Sequence, residues 1–563
     1  MFKKILIANR GEIAVRVIRA CEALGVKSVA IFSEADEDAL HRRFADEAVC
    51  CGPARATESY LDIGGIVEIA KSVGADAIHP GYGFLSENAE FAEAVAAAGI
   101  ALIGPTPEVI RSMGLKIAAR ERMIAAGVPV VPGGVAALTD VAVARAAAEE
   151  IGYPVLVKAS AGGGGRGMRR VDSEAELEAA LERAASEAEA AFGDGAVYLE
   201  KFVLGPRHIE IQIMADAHGR TLHFGERECS VQRRHQKLIE EAPAYGMTEA
   251  TRAAMGAAAV RAAEAVDYVG AGTVEFLMDS AGAFYFLEMN TRIQVEHPVT
   301  ECVTGVDLVA LQIRVAAGEA IPFGQEDVRL AGHAIEARVY AEDPDKGFIP
   351  SPGAISGWID PSGEGVRLDA GFEGGQTVTP HYDPMIAKLI VSGRDREEAL
   401  SRMSVALDEF WIAGIRTGLP FLRRCLANDV FCKGAYDTAF IEDEMSDELP
   451  ELAPALRDLV YGLAAWRASK EGGDEGATWR VGLKKKDSVD VRVSEESGQV
   501  AMRVDGRDMS CGLNEIASDV FEVVSAARLE GGEKTRVSIS PKKNGAFDLG
   551  LLDRVIRLKV SAA

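Results

Sequence analysis

Residues 284–297 have the sequence FYFLEMNTRIQVEH, the most informative stretch of the chain. Its apolar start predicts a strand, and on an extended chain residues two apart share a face. As far as the chain stays extended, five polar side chains would then point one way: Glu288, Asn290, Arg292, Gln294 and Glu296. A solvated strand face would explain this alternation, but the apolar flanks favour burial. A buried row of charges needs a ligand to offset its desolvation.

The preceding predicted strand, GTVEFLMD at residues 272–279, adds the carboxylate of Glu275. Two carboxylates and an amide that face a phosphate site are the hard oxygen ligands that Mg²⁺ prefers. These two strands together therefore predict a divalent metal beside a bound phosphate.

A glycine run, AGGGGRG at residues 161–167, follows the predicted strand PVLVKAS, which contains Lys158. Glycines let backbone N–H groups approach an anion closely, and a lysine adds positive charge, so the loop predicts a polyphosphate site. A flexible surface loop is the alternative. The run also matches G-x-G-x-x-G, but MRRV follows it instead of an amphipathic helix, which disfavours a dinucleotide site. The chain has no G-x-x-x-x-G-K-[ST] motif, which excludes a P-loop enzyme.

A third polar stretch extends from residue 207 to residue 243. His208 and Glu210 share a predicted strand face. Gln232, His235 and Lys237 cluster just beyond a run that contains Arg227, Arg233 and Arg234. We expect contacts to a nucleobase, a ribose or an anion, and we count Gln232 among the cofactor-binding residues. Each histidine alone is more often a structural hydrogen-bonding residue.

The composition limits the classes of partner. The 563 residues carry a formal net charge of −25, which disfavours nucleic acid and anionic membrane surfaces. The N-terminus lacks a signal-peptide pattern, and no window of 18 uncharged apolar residues occurs. The eight cysteines include no C-x-x-C, so ordinary thiols in a reducing cytoplasm are expected and structural zinc is disfavoured.

The pattern of elements predicts several domains. Residues 1–115 alternate short apolar strands with helical segments, which is typical of βαβ units and a parallel sheet with ligands at the carboxyl ends of its strands. An acidic, proline-containing linker candidate at 442–454 precedes one predicted helix. From Thr478 onwards, short alternating runs predict a small all-β sandwich or barrel.

The sequence resembles the biotin carboxylase component of biotin-dependent carboxylases, a branch of the ATP-grasp ligases. The resemblance covers about residues 1–445 and rests on six motifs in family order: ILIANRGEIA, HPGYGFLSENAEFA, KASAGGGGRGM, HQKLIEEAP, EMNTRIQVEHPVTE and EARVYAEDP. It implies a mixed α/β and α+β fold. The implied parts are a Rossmann-like N-terminal domain at 1–115, an ATP-grasp domain at 116–334 with a mobile lid at about 130–205, a biotin carboxylase C-terminal domain at 335–445, a linker and helix at 446–470, and a small β domain at 471–563.

The resemblance also implies roles for individual residues. ATP would contact Lys116, Lys158, His208 and His235, with Gly164 and Gly165 on its phosphates. The adenine would lie against a hinge formed by Glu200, Lys201, Phe202 and Val203. Mg²⁺ or Mn²⁺ would be bound by Glu275, Glu288 and Asn290. Bicarbonate would contact Lys237, Arg292, Gln294 and the Val295 backbone. Glu296 would act as the general base, and Arg338 would stabilise the biotin enolate.

Biotin is attached to a lysine in a Met-Lys-Met context, and none of the 14 methionines adjoins a lysine. We therefore expect biotin to be supplied in trans on a carrier protein. The helix and the β domain weakly resemble the subunit-bridging domain of acyl-CoA carboxylase α subunits, which implies partnership with a carboxyltransferase β subunit and a homodimer or larger assembly. A subunit of a pyruvate or other 2-oxoacid carboxylase and a non-catalytic assembly protein are the alternatives.

Overall fold

The computed structural model describes residues 1–134, 141–159, 168–192, 195–445, 454–471, 478–482, 488–496, 499–525, 535–542, 546–552 and 554–562. The chain forms two compact units. The first comprises Met1–Ala337, Ile390–Ala399 and Lys433–Glu444, and the second comprises Arg338–Leu389, Leu400–Cys432 and Met445–Ala563. Apart from Arg338, the described candidate site residues belong to the first unit.

The N-terminal segment of the first unit is a parallel sheet with helical crossovers, as its alternating sequence predicts. The strands are β1 (Lys4–Ile7), β2 (Lys27–Ser33), β3 (Glu47–Gly52), β4 (Ala77–His79) and β5 (Ala101–Leu102). The helices are α1 (Gly11–Leu24), α2 (Leu40–Phe44), α3 (Ile63–Ser72), α4 (Ala89–Ala97) and α5 (Pro107–Gly114). The strand order is β3-β2-β1-β4-β5, so β2 and β3 lie on one side of β1 whereas β4 and β5 lie on the other. The order of the strands therefore reverses between β1 and β4. Parallel sheets bind ligands at the carboxyl ends of the strands at such a point.

A small substructure with its own core follows. It comprises helices α7 (Val141–Ile151) and α8 (Glu174–Phe192) and strands β6 (Val155–Ala159), β7 (Arg169–Val171) and β8 (Val197–Lys201). Helix α6 (Lys116–Ala125) precedes it and belongs to another core, since Ala119 and Met123 of α6 share an apolar cluster with Ile209 and Met255. The strands form an antiparallel sheet in the order β7-β6-β8. Apolar residues from this sheet and from α7 and α8 form a separate cluster that includes Val157, Leu177 and Leu199.

A larger antiparallel sheet positions the candidate site. Its strands are β9 (Arg207–Ala215), β10 (Thr221–Arg233), β11 (Gln236–Ala242), β12 (Gly270–Met278), β13 (Phe284–Asn290) and β14 (His333–Tyr340), and the helices of this region are α9 (Glu249–Glu264), α10 (His297–Thr304) and α11 (Leu308–Ala316). These are the first six strands of an eight-stranded sheet, in the order β13-β12-β9-β10-β11-β14. On β9, Ile209, Ile211 and Ile213 pack in one cluster with apolar residues of α9. The alternating polar residues of β9 lie on the opposite face and are also buried.

One local prediction is wrong. The alternation from Glu288 to Glu296 predicts one continuous extended strand face, but β13 ends at Asn290 and α10 begins at His297. The intervening residues form a turn, and Glu296 takes the N-cap position of α10. The turn changes the directions of the side chains after Asn290, so alternation along a strand does not bring them together.

Between residues 342 and 444 the chain has short strands and helices. The strands are β15 (Glu342–Asp343), β16 (Ile349–Pro350), β17 (Gly353–Ala354), β18 (Gly357–Ile359), β19 (Val366–Ala370), β20 (Thr377–Val378), β21 (Met385–Gly393) and β22 (Trp411–Ala413). The helices are α12 (Arg396–Glu409), α13 (Leu419–Ala427), α14 (Asp429–Cys432) and α15 (Phe440–Glu444). In the described part of the chain, no helix has both the length and the apolar character that crossing a bilayer requires.

The C-terminal part of the second unit is a closed barrel that packs around a helix. The helix is α16 (Pro454–Lys470), and the strands are β23 (Thr478–Gly482), β24 (Val489–Glu496), β25 (Gln499–Val504), β26 (Arg507–Ala517), β27 (Val520–Ser525), β28 (Thr535–Lys542), β29 (Ala546–Gly550) and β30 (Val555–Ala562). Leu463 and Trp466 of α16 share one apolar core with Val491, Val523 and other barrel residues. The predicted helix and the predicted β domain therefore form one folded body.

Within the second unit, the barrel is bonded to the segment that precedes it. Arg416 donates from Nη2 to Asp548 Oδ1 on β29 (3.1 Å) and from Nη1 to the Val555 carbonyl (2.7 Å). Both side chains of this ion pair are 7% exposed. Arg557 on β30 also donates to Asp548 (2.7 Å). Asp548 is thus compensated by two guanidinium groups, one of them from outside the barrel.

Candidate active site

Three carboxylates on adjacent strands form one row on the polar face of the larger sheet. Glu275 on β12 is directly opposite Glu210 on β9 and Glu288 on β13. Residues opposite each other on antiparallel strands share a face, with their Cβ atoms about 4.5–5.5 Å apart, and like charges in such positions repel. The row therefore requires cations from the protein or from a ligand.

Lys237 on β11 supplies one of these cations. Its Nζ donates to Glu210 Oε2 (2.6 Å), to Glu275 Oε1 (3.1 Å) and to Glu296 Oε1 (2.5 Å). Burial acts to lower the pKa of Lys237, but the three carboxylates raise it well above its ordinary value. Lys237 is thus a permanent cation that links Glu296 to the carboxylate row.

Arg227 on β10 supplies another cation and is fully buried. It makes five side-chain hydrogen bonds, to Glu210 (2.6 Å), Gln212 (2.7 Å), Gln294 (2.7 Å), Thr273 (3.1 Å) and Thr300 (3.1 Å). Because Gln294 accepts from Arg227 through Oε1, its Nε2 is directed to Glu275 Oε1, 2.7 Å away. The sequence indicated an anion contact for the arginine run, whereas the structure places Arg227 inside the protein as the centre of a hydrogen-bond network.

The turn after β13 brings the remaining predicted residues to the row. Asn290 donates from Nδ2 to Glu275 Oε1 (2.8 Å) and accepts at Oδ1 from Arg292 Nη2 (2.9 Å). Glu296 is 2% exposed and is held by Lys237. Asn290 thus reaches the row from the end of β13, whereas Arg292, Gln294 and Glu296 approach it through the turn and not along one strand face.

His208 and the β10–β11 hairpin border the same region. His208 Nε2 lies 2.8 Å from Glu275 Oε2. Burial acts to lower the pKa of His208, but the Glu275 carboxylate raises it above its ordinary value. Gln232 is paired in register with Lys237. The hairpin turns at Arg234 and His235, with φ of 49° and 67°. Such a turn favours Asn-Gly, so these bulky residues indicate a constrained loop of the kind found at functional sites.

A cavity extends from the predicted hinge to the carboxylate row. Its lining includes Arg120, Lys158, Glu200, Lys201, Phe202, Val203, Leu277, Leu287 and Glu288. Glu200 accepts from Lys158 Nζ (2.7 Å) and from Arg120 Nη1 (3.0 Å). Burial acts to lower the pKa of Lys158, but Glu200 raises it, so the lysine is charged. Because Glu288 also lines it, the cavity joins the two predicted parts of the site.

The hinge residues differ in how they can contact a ligand. The Lys201 ammonium donates to the carbonyls of Gly152 (2.8 Å) and Tyr153 (3.0 Å), so it is bound to the protein itself. The N–H groups of Lys201 and Phe202 donate to backbone carbonyls as well. No residue in the described ranges accepts from the Val203 N–H. That N–H can therefore donate to a bound ligand.

The donor set fits the predicted divalent metal. Glu275 and Glu288 face each other across β12 and β13, and the Asn290 amide contacts Glu275. Opposed carboxylates with an amide oxygen are ligands suited to Mg²⁺ or Mn²⁺. His208, Glu210 and Glu275 also present close donor atoms. In the protein alone, Lys237 and His208 supply the positive charge near Glu275.

For a few predicted site residues, no contact with the carboxylate row or the cavity has been described. Gly164 and Gly165 lie outside the described residues, and so does the side chain of Lys116, whose backbone begins α6. Val295 is half-buried in the turn before α10. Arg338 lies on β14 and is 8% exposed.

Sequence reasoning missed several residues of this network. It noted Glu210 and Arg227 without assigning either to the site, and it passed over Arg120 and Glu87. Glu87, from the loop before α4, accepts from Arg292 Nε (2.9 Å). The HPGYGFLSENAEFA motif containing Glu87 was the available signal, but its contact with Arg292 joins residues 205 positions apart.

Three sequence families match consecutive parts of the chain. Residues 1–110 match the family described as "Biotin carboxylase, N-terminal domain". Residues 116–323 match "Carbamoyl-phosphate synthase L chain, ATP binding domain", and residues 336–443 match "Biotin carboxylase C-terminal domain". The order of these matches is that of the predicted parts.

Curated relatives are similar over most of the chain. A biotin carboxylase of Halalkalibacterium halodurans is 54% identical over 445 residues, which are 79% of this chain and 98% of the relative. A pyruvate carboxylase subunit of Methanothermobacter thermautotrophicus is 55% identical, covering 79% of this chain and 90% of the relative. The alpha subunit of methylcrotonoyl-CoA carboxylase of Mus musculus is 51% identical over 469 residues, which are 83% of this chain and 65% of the relative.

Solved structures of the same kind match the fold. The complex "Biotin Carboxylase-beta-gamma-ATP" from Campylobacter jejuni has a TM-score of 0.75 and 50% identity, covering 78% of this chain and 99% of that one. A second match is the biotin carboxylase domain dimer of Hydrogenobacter thermophilus 2-oxoglutarate carboxylase, in complex with MgADP, ADP and bicarbonate. It has a TM-score of 0.75 and 49% identity, and the match covers 80% of this chain and 100% of that one.

Proposed function

This chain belongs to the biotin carboxylase family, and from that membership we propose that it is the biotin carboxylase subunit of an acyl-CoA carboxylase of the acetyl-CoA or propionyl-CoA type. It is an ATP-grasp ligase that carboxylates biotin with ATP and bicarbonate. The observation that carries the proposed mechanism is the contact of Lys237 with Glu296 and Glu275, because it joins a candidate base to a candidate metal ligand.

Bicarbonate would bind where Lys237, Arg292 and Gln294 converge, beside the Val295 backbone. Glu296 would accept its proton as a bicarbonate oxygen attacks the γ-phosphorus of ATP, giving carboxyphosphate and ADP. Lys237 and Arg292 would offset the negative charge that gathers on the transferred phosphoryl group. Burial of Glu296 supports this role, because a site that excludes water protects carboxyphosphate from hydrolysis.

ATP would occupy the cavity between the hinge and Glu288. The Val203 N–H would donate to the adenine, and the charged Lys158 would contact the phosphates. Lys116, Gly164, Gly165, His208, Gln232 and His235 are proposed as further ATP contacts. Glu275, Glu288 and Asn290 would hold Mg²⁺ or Mn²⁺, which when bound neutralises phosphate charge.

Carboxyphosphate would break down to CO₂ and a phosphate that takes the ureido proton of biotin. Arg338 would then stabilise the enolate that captures CO₂. Biotin would be supplied in trans on a carrier protein or domain, and the cytoplasm is the proposed location.

The proposal also includes the final acceptor of the carboxyl group and the subunits with which the chain assembles. Helix α16 and the barrel share one apolar core and so form a separate domain, which we propose docks a carboxyltransferase β subunit. A relative whose name is that of an acyl-CoA carboxylase, the methylcrotonoyl-CoA carboxylase subunit, is 51% identical over 469 residues, and this similarity supports an acyl-CoA acceptor. A homodimer of the carboxylase part is proposed from the domain dimer in the Hydrogenobacter structure.

A 2-oxoacid carboxylase subunit is the second candidate. The pyruvate carboxylase subunit of Methanothermobacter is 55% identical to this chain, and a 2-oxoglutarate carboxylase domain has the same fold. The two candidates share the biotin carboxylation step and differ in the carboxyltransferase that would bind the chain.

The first test measures ADP release with Mg-ATP, bicarbonate and free biotin, for the wild-type chain and for Glu296→Ala. We expect biotin-stimulated, bicarbonate-dependent turnover that the substitution abolishes, and equal turnover in the variant would refute the role of Glu296. The second test adds a carrier protein with an acyl-CoA or a 2-oxoacid carboxyltransferase and follows labelled bicarbonate. Label in acyl-CoA supports the proposal, and label only in the 2-oxoacid refutes it.

A further inference from the structure

The loop between β4 and α4 supplies a carboxylate to the candidate active site that the proposed mechanism has not used. Glu87 Oε2 accepts from Arg292 Nε (2.9 Å), and Glu87 Oε1 accepts from the backbone N–H of Thr291 (3.1 Å). One carboxylate thus binds both the guanidinium of Arg292 and the backbone that carries it. This contact crosses from the parallel N-terminal sheet to the turn after β13.

The loop that carries Glu87 is held at several points. The Asn9 side chain donates to the carbonyls of Pro80 (2.7 Å) and Tyr82 (2.8 Å). Phe84 has a φ of 44° and stacks on Tyr60 with 5.1 Å between the ring centroids. These contacts fix the backbone next to Glu87. The side chain of Glu87 is 41% exposed, so packing around the side chain itself contributes little to its position.

The charges around Arg292 explain why a partner at this position matters. Burial acts to lower the pKa of Arg292, and Glu87 is the largest influence that raises it, ahead of Glu296 and Glu275. The guanidinium is thus attracted by Glu87 and also by the carboxylates of the catalytic network. Two contacts fix the guanidinium, since Nε donates to Glu87 (2.9 Å) and Nη2 donates to Asn290 Oδ1 (2.9 Å), and Glu87 is the only charged partner of the two.

We propose that Glu87 is a positioning residue that holds the Arg292 guanidinium in the orientation that receives bicarbonate. This inference rests on the proposed function, in which Arg292 contacts bicarbonate. It gives the HPGYGFLSENAEFA motif a role in the first half-reaction, although the motif lies outside the ATP-binding segment.

The test is Glu87→Gln, which keeps an oxygen acceptor for the Thr291 N–H and removes the charge that binds Arg292. We expect the KM for bicarbonate to rise about tenfold at saturating ATP and biotin, while kcat and the KM for ATP change by less than about twofold. Glu90→Gln is the matched control, because Glu90 is exposed on α4 and has no hydrogen bond to Arg292. An unchanged KM for bicarbonate in Glu87→Gln would overturn the proposal.

A double-mutant cycle separates this inference from the proposed function. Arg292→Ala should raise the KM for bicarbonate by itself, and adding Glu87→Gln should then have no further effect, because Glu87 acts through Arg292. If Glu87→Gln raised the KM for bicarbonate by the same factor in the Arg292→Ala background as in the wild type, the positioning role would be overturned and the proposed function would remain. An unchanged KM for bicarbonate in Arg292→Ala would instead overturn the proposed role of Arg292.

Discussion

Lys237 Nζ lies 2.5 Å from Glu296 Oε1, and the same ammonium lies 2.6 Å from Glu210 and 3.1 Å from Glu275. A single cation thus fixes Glu296, at the start of α10, relative to strands β9 and β12. Three buried carboxylates around one ammonium leave local excess negative charge, which a divalent cation and the remaining arginines would balance.

Replacing Lys237 with Gln should disable the site. The loss of the ammonium leaves Glu210, Glu275 and Glu296 to repel one another and removes a contact to bicarbonate. We expect kcat/KM for bicarbonate to fall by about 10²–10³-fold, measured by bicarbonate-dependent ADP release. Lys71→Gln is the control, because this lysine is half-exposed on α3. Activity of Lys237→Gln within tenfold of wild type would contradict this arrangement.

Replacing Arg227 with Met should mainly reduce stability. The substitution removes one of the two cations that contact the buried Glu210, and it also removes the donor to Gln212 and Gln294. The free energy of unfolding should therefore fall by about 3–5 kcal/mol in urea titrations. Arg227→Lys should also destabilise, because an ammonium cannot reproduce five bonds of the guanidinium. The exposed Arg394→Met should change stability by less than about 0.5 kcal/mol. Equal stabilities of Arg227→Met and Arg394→Met would refute the prediction.

Acid should destabilise the protein through His41. Burial lowers the pKa of His41 from 6.5 to about 4, and the buried histidine is neutral in the folded state. Between these values the unfolded chain binds a proton that the folded chain does not, so stability falls as pH decreases below 6.5. From pH 6.5 to 5 this histidine accounts for a loss of about 1.6 kcal/mol.

The measurement for His41 is the free energy of unfolding as a function of pH, compared with that of His41→Leu. The variant should lose stability less steeply between pH 6.5 and 5, whatever its stability at pH 7. His218→Leu serves as the control, because His218 is exposed. Parallel pH profiles for His41→Leu and wild type would contradict the assignment.

Replacing Asp548 with Ala should loosen the barrel from its neighbouring segment without affecting catalysis. Arg416 and Arg557 would lose their shared carboxylate, and the buried Arg416 would keep only the more distant carboxylate of Asp345, 3.9 Å away. We expect about 3 kcal/mol less stability of the second unit in urea, with biotin-dependent ADP release within about twofold of wild type. Asp508→Ala removes a 76% exposed carboxylate of the same barrel and should be neutral. Stability of Asp548→Ala equal to that of Asp508→Ala would refute this prediction.

Much of the local structure could be predicted from the sequence. The apolar run and its polar end predicted a strand at FYFLEMN, which β13 matches from Phe284 to Asn290. The turn after Asn290 was not predicted, since the alternation of polar and apolar residues continues through it. The alternation of polar and apolar residues indicates which residues would share a face of an extended strand. It does not indicate at which residue the strand ends.

The sequence by itself determined the residue types of the candidate site and their family motifs, because the chemistry of carboxylates, lysines and glycines is local. Only the tertiary structure decided which of them meet. Register between β9, β12 and β13 places Glu210, Glu275 and Glu288 in one row, and the register of β10 with β9 places Arg227 directly opposite Glu210. Glu87 reaches Arg292 from another sheet. Cross-strand register and packing between sheets depend on contacts between distant segments, and no local pattern of residues encodes those distances.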